Sequence, residues 1–398
     1  MHYTLFIIAF LLCFIHNFIS AQQITDPNFA KAIRQQCPAC IDAKNKLTKA
    51  ADTLKYLDIS KQQIKSLEGL KFPNLRYFDC STNQLTELPN HKFEKLEHFY
   101  CSYNQLQQLP AYNFKNLQTF DCANNQLSEL PNYNFAKLQI FTCFSNEIKQ
   151  LPAYNFENLK KFTCSYNELK ELPAFNFETL TEFSCTDNKL TKLPNYNFEK
   201  LKWFDCSNNE LIELPAFKFV NLTNFVCEYN QLVTLPAYNF EQLKRIDCAN
   251  NMLKSLPDYN FKNLENFRCS DNLISKLPDY NFEKLKFFDC YNNQITALPA
   301  YNFEKLDFFM CAYNQLSELP AYNFVNLNTF NCMHNQITKL PDYNFQKLEV
   351  FFSPDNQLTK LPKLPTTLRE LQVKNNPLTC IPYFPDAVTD VQLPYCKD

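Results

Sequence analysis

From Leu54 onward, apolar and polar positions alternate in a frame that returns every 21 residues. In LQTFDCANNQLSELPNYNFAK, residues 117–137, the apolar places fall to Leu117, Phe120, Cys122, Leu127, Leu130, Pro131, Tyr133 and Phe135, with Asn125 among them. Cysteines stand at 80, 101, 122, 143, 164, 185, 206, 227, 248, 269, 290, 311 and 332, every gap being 21. Relative to that cysteine, a leucine lies five before and an aromatic two before. Asparagine follows three after, leucine five and eight after, proline nine after and phenylalanine thirteen after. The first coil keeps the frame with Leu54, Leu57, Ile59 in the cysteine place, Ile64, Leu67 and Phe72. An aromatic and a cysteine two apart share one face of a short strand, and the residues beside them face the other way. Strands returning in phase predict a parallel sheet in which each coil packs only on its neighbours. Proline and the aromatic spacing of Leu-Pro-x-Tyr-Asn-Phe argue against a helix on the return path, which predicts extended or polyproline-like chain with turns, including 3₁₀ turns.

The frame L-x-x-F-x-C-x-x-N-x-L-x-x-L-P resembles the leucine-rich repeat, with phenylalanine and cysteine in two leucine slots. LPKLPTTLRELQVKNNPLTCIP, residues 361–382, takes a 20-residue step and looks like the bacterial subclass with paired Leu-Pro steps. ITDPNF ahead of LDIS resembles the cap of secreted, internalin-like bacterial repeat proteins. The resemblance implies a right-handed β-solenoid or horseshoe, with a parallel concave sheet, a mostly non-helical convex side and a short N-terminal helical cap. Seventeen coils are expected, centred on Ile59, the thirteen cysteines, Ser353, Val373 and Leu393.

The apolar run at residues 5–15, followed by Ser20-Ala21, has the length and small-residue exit of a signal peptide and is short for a membrane span. The expected layout is a signal peptide over 1–21, a cap over 22–53 and repeats over 54–398, with no membrane span in the mature chain. In the cap, Asp26 precedes Pro27, and Phe29, Ile33 and Cys37 share a helical face, so a helix is predicted there, ended by Pro38. Its expected task is to cover the apolar end of the first coil.

Composition changes this picture in two ways. With 39 basic and 41 acidic residues the net charge is −2, so no field favours nucleic acid. With one glycine, Gly69, in the chain, turns that need positive φ must fall to asparagine. The asparagines from Asn83 to Asn356, and then Asn376, stand where each strand leaves the sheet. Their amides can pair with backbone of the adjacent turn and the next coil. Gln62 and Cys396 hold that slot in the first and last coils.

Little here can carry chemistry. Cysteines on adjacent parallel strands keep their β-carbons about 4.8 Å apart, too far and too parallel for disulfides, so they read as small core residues. Cys380 and Cys396 break the period and are a candidate terminal disulfide. Cys37 and Cys40 are either a structural pair or two quiet thiols, since a zinc site wants two more ligands. His91, His98 and His334 are scattered, and Asp79, Asp121, Asp205, Asp247 and Asp289 never fall on adjacent coils, which leaves a loose acidic stripe. No calcium loop or phosphate-cradling motif is present. The reading is therefore no enzyme, no cofactor and no metal.

Function then rests on the outward positions, those three before, one before and one after the cysteine. Early coils are mostly polar there, as in Lys161, Thr163 and Ser165, or Glu182, Ser184 and Thr186. Trp203 stands alone, Arg245 and Arg268 follow, and then Phe287, Tyr291, Phe308, Met310, Met333, Val350 and Phe352 occupy four consecutive coils. Aromatic, methionine and arginine side chains on an exposed sheet mark contact surfaces. The expectation is an exported recognition module binding a protein or glycan partner. The competing class is a structural or self-associating surface protein, and an effector acting on an enzyme is a third.

Overall fold

The computed structural model describes residues 23–382 and 388–396. Residues 1–21, expected to be a signal peptide, lie outside the described residues. The chain forms two units, one ending at Leu180 and one starting at Thr181. The first unit carries β1 (Tyr56–Asp58), β2 (Tyr77–Asp79), β3 (His98–Tyr100), β4 (Thr119–Asp121), β5 (Ile140–Thr142) and β6 (Lys161–Thr163). The second carries β7 (Glu182–Ser184), β8 (Trp203–Asp205), β9 (Asn224–Val226), β10 (Arg245–Asp247), β11 (Asn266–Arg268) and β12 (Phe287–Asp289). It continues with β13 (Phe308–Met310), β14 (Thr329–Asn331), β15 (Val350–Phe352), β16 (Glu370–Gln372) and β17 (Val388–Thr389).

Within each unit, consecutive strands pair in parallel with the repeat's own register, as in Phe78 opposite Phe99 and Phe288 opposite Phe309. The last step departs from the sequence expectation. Glu370 lies opposite Val388, which puts Val391, and not Leu393, in the cysteine place of the final coil. The step is 388 − 370 = 18 residues. A fixed step cannot be carried through a coil whose leucine and proline positions have already shifted, and the Cys380–Cys396 disulfide joins the ends of this shortened turn.

Inside, the aromatic before each cysteine stacks on its counterpart, for example Phe99 on Phe120 at 5.7 Å and Phe309 on Phe330 at 5.4 Å between ring centroids. Ile246 interrupts this row in the second unit. The thirteen in-phase cysteines are buried and form no disulfide. Burial pushes the thiols up, as at Cys80, Cys185 and Cys332, which keeps them protonated and unreactive. The return path has no helix in the described coils. A row absent from the sequence reading braces it: the Tyr133 hydroxyl donates to the Pro110 carbonyl at 3.0 Å and the Tyr259 hydroxyl to Pro236 at 2.9 Å.

The asparagine ladder reaches back to the preceding coil, not forward to the next. Asn251 Nδ2 donates to the carbonyls of Cys227 (3.0 Å), Cys248 (3.2 Å) and Ala249 (3.0 Å), while its Oδ1 accepts from Leu232 N at 3.0 Å. The left-handed residue of each turn is the one before this asparagine, which corrects the assignment of positive φ to asparagine alone. That position holds Asn250 (φ 53°), but also Thr82 (56°), Tyr103 (54°), Asp187 (53°), Tyr229 (53°) and His334 (48°). Backbone bonds over-determine the turn, so bulky residues tolerate it: Tyr103 N donates to Ala123 O and Asn104 N to Asn124 O.

At the N-terminal end, α1 (Pro27–Gln36) forms where expected, with Phe29 and Ile33 buried. Asp26 Oδ1 caps it by accepting from Asn28 N (2.8 Å) and Phe29 N (3.0 Å). Its Oδ2 accepts from Lys65 N at 2.8 Å and Ser66 N at 3.2 Å, so one carboxylate ties the cap to the first coil. Cys37 and Cys40 are disulfide-bonded just beyond the helix.

Candidate binding face on the sheet

Alternation points the residues of each strand's first and third positions away from the core, but they are not equally accessible. In the column before the cysteine, Ser184, Val226, Asp247, Asp289 and Asn331 are all buried, and in the column after it so are Ser102, Ser165 and Ser207. Small side chains lie in troughs between larger neighbours about 4.8 Å away. The column three before the cysteine stands highest and carries most of the reachable chemistry.

All the singled-out aromatic, methionine and arginine residues fall in the second unit. Trp203 on β8 is half-buried and is separated from Arg245 by the β9 strand, so it is not part of the later group. Arg245 is exposed and lies 3.4 Å from the buried carboxylate of Asp247. Arg268 is held from three sides, by Glu228 at 3.1 Å, Asp289 at 3.4 Å and Asp247 at 3.6 Å. Burial works against its charge, yet Asp247, Asp289 and Glu228 more than offset that and hold the guanidinium above its usual pKa. Burial pushes Asp289 up, partly countered by the Tyr291 N–H and Arg268, and it also pushes Glu228 up. Arg268 therefore knits the spaced aspartates that looked separate in the sequence. Of the two arginines, Arg245 is the more open to a ligand.

Beside this node is an open cavity of about 410 Å³ lined by Arg245, Ile246, Asp247, Asn266, Arg268, Phe287 and Asp289. From there the apolar side chains begin. The rings of Phe287 and Phe308 stack, with centroids 4.6 Å apart and planes 4° apart. Tyr291 meets Tyr313 edge-on at 5.2 Å, and Tyr313 packs on His334 at 4.1 Å. The His334 Nε2 is 3.3 Å from Asp355 Oδ2. Met310, Met333, Val350 and Phe352 complete the group, all half-buried like Phe287 and Phe308. Thr329 and Asn331 separate Phe308 and Met310 from Val350 and Phe352, so the group is two apolar clusters bridged by Met333. The aromatics partly cover one another, but each keeps an accessible edge.

The sequence reading missed a second aromatic group in the first unit. Tyr56 is 54% exposed and stacks on Tyr77 at 4.3 Å, which in turn meets Tyr100 at 5.5 Å. The signal was available in the same columns at residues 56, 77 and 100, but polar neighbours hid it.

Among the described residues, no cluster of three or more histidine, cysteine, aspartate or glutamate side chains is arranged to hold a metal ion. Nor is any helix there long and apolar enough to cross a membrane.

A family model described as leucine-rich repeats (2 copies) matches residues 52–92 and 94–134. No curated protein matches the chain. Solved structures do. The functional domain of InlJ from Listeria monocytogenes, which includes a cysteine ladder, is 22% identical, with a TM-score of 0.66 over 89% of this chain and 75% of that one. A leucine-rich repeat protein of Leptospira interrogans is 23% identical, with a TM-score of 0.60 over 87% and 93%. YopM, a leucine-rich effector protein of Yersinia pestis, is 24% identical, with a TM-score of 0.56 over 78% and 88%. At these identities the likeness is one of fold. The chain is a leucine-rich repeat solenoid, similar in architecture to leucine-rich repeat proteins of bacteria.

Proposed function

We propose that this protein is an exported, non-enzymatic recognition module that binds a protein or glycan partner through the sheet face of β12–β15. The observation that carries this reading is the half-exposed group of Phe287, Phe308, Met310, Met333, Val350 and Phe352, which concentrates apolar side chains on consecutive strands. Aromatic and methionine side chains supply large contact area, and a face fixed by backbone ladders loses little entropy on binding. Arg245, at the margin of this face, adds a directional polar contact.

Export is supported by the signal-like residues 1–21 and by disulfides near both ends of the described chain. The layout proposed for the mature chain remains a cap over 22–53 and repeats over 54–398. The core thiols are compatible with an oxidising compartment because burial keeps them from reacting.

The test is a double variant, Phe308→Ser and Phe352→Ser, compared with the wild type for retention of extracellular proteins and glycans. Circular dichroism establishes that both chains are folded. Loss of at least about tenfold in affinity is expected from removing two aromatic anchors. Retention unchanged in the variant would sink this reading. Light scattering against concentration tests the competing class: a wild type that dimerises and a variant that does not would make the face a self-association surface.

A further inference from the structure

The first unit carries a face of different chemistry. Its outward positions on β1–β4 hold Asp58, Asp79 and Asp121, with no lysine and no arginine, a charge of 0 − 3 = −3 with His98 neutral. In the second unit Asp247 and Asp289 are held by Arg245 and Arg268, but no ion pair reaches these three among the described residues. Asp58 Oδ1 accepts from Ser60 N at 3.0 Å and Asp79 Oδ1 from Ser81 N at 2.8 Å. These bonds fix the carboxylates in the sheet face and leave both Oδ2 atoms without a protein partner among the described residues. Register sets Asp58 beside Asp79, and Tyr100 between Asp79 and Asp121.

Against these carboxylates stands the ring series Tyr56, Tyr77 and Tyr100. Stacked, partly exposed rings beside unpaired carboxylates suit one kind of group, a planar cation that lies on a ring face and donates to an oxygen. Guanidinium does both. An ammonium can make the ion pair but stacks less well, and an anionic or purely apolar ligand would meet the same carboxylates unfavourably.

We propose that the β1–β4 face is a second docking surface, for an arginine-bearing segment of a partner polypeptide. It is independent of the apolar face in the second unit. The local field agrees with this assignment: burial and then the Asp79 carboxylate raise the Tyr77 hydroxyl, and burial, with Asp79 adding to it, raises Asp121. A docked cation offsets the Asp79 contribution to each.

The experiment uses the full mature chain and a synthetic peptide alternating arginine and serine, with lysine-serine and glutamate-serine peptides as controls, titrated calorimetrically at low salt. The wild type is expected to bind the arginine peptide more tightly than the lysine peptide and to ignore the glutamate peptide. The combined change Tyr56→Ala and Asp79→Asn is expected to weaken arginine-peptide binding by about tenfold. Asn keeps the acceptor for Ser81 N, and melting curves establish that the fold persists. The single change Asp58→Asn, which spares every ring, should weaken binding by a smaller factor. The Phe308→Ser, Phe352→Ser chain should bind as wild type, which separates this proposal from the apolar-face reading. Equal binding by the wild type and the Tyr56/Asp79 variant, or no preference for arginine over lysine, would overturn the proposal.

Discussion

Asn250 and Asn251 are adjacent and chemically identical, yet they do different work. Asn250 takes the left-handed conformation at φ 53°, which its short polar side chain tolerates. Asn251 gives both ends of its amide to four backbone groups in its own and the preceding coil. Replacing Asn251 with alanine leaves buried groups unpaired at roughly 1–3 kcal/mol each, so a loss of at least about 2 kcal/mol is expected in urea unfolding. Asn250→Gly should stay within about 0.5 kcal/mol of wild type, since glycine accepts the same φ at no steric cost. Comparable losses from the two changes would refute this division of labour. The ladder role was legible in the sequence because it recurs at every coil. The left-handed role was not, because tyrosine, threonine, serine and histidine share it with asparagine. Such residues can sit there because neighbouring coils pin the turn, a constraint no single repeat reveals.

At the scale of elements, the cap helix and the first coil are joined through two residues. Asp26 divides its carboxylate between the helix start and the amides of Lys65 and Ser66. Gly69, the one glycine, sits at φ 85° beneath the backbone of Gln23. A β-carbon there would lie 2.6 Å from the Gln23 carbonyl oxygen and 2.9 Å from its carbon, and backbone cannot move aside as a flexible side chain would. Gly69→Ala is expected to cost at least about 2 kcal/mol, combining the left-handed penalty with the clash. Limited proteolysis should then cut within residues 23–36 faster than in wild type, and unchanged cleavage would show that the cap tolerates the shift. The helix itself could be read from Asp26-Pro27 and the spacing of Phe29 and Ile33. Its docking could not, because Gln23 and Gly69 are 46 residues apart and only folding brings them together.

At the scale of the molecule, a repeat array adds stability coil by coil. Deleting residues 125–145 removes one full period and joins Asn124 to Asn146, so every apolar position keeps its face. That shortened chain should fold with native-like circular dichroism and a modestly lower urea midpoint. Deleting 125–144 leaves an extra residue in the turn between Asn124 and Asn146 and shifts that ladder asparagine and the apolar positions after it out of phase, which should lower the urea midpoint well below that of the full-period deletion. If both deletions behaved alike, the register would not be what holds the array.

The sequence by itself determined the parallel strands, their spacing, the buried cysteine column and the asparagine ladder. Each follows from a local pattern repeated in phase, and repetition makes a weak local preference unambiguous. It also displayed the apolar residues of β12–β15. Only the tertiary structure decided how that surface divides. It locked Arg268 among Asp247, Asp289 and Glu228, sank the column before the cysteine into troughs, and set Tyr56, Tyr77 and Tyr100 beside unpaired carboxylates. Those outcomes depend on what stands one or two strands away, where side-chain size and charge on neighbouring coils meet.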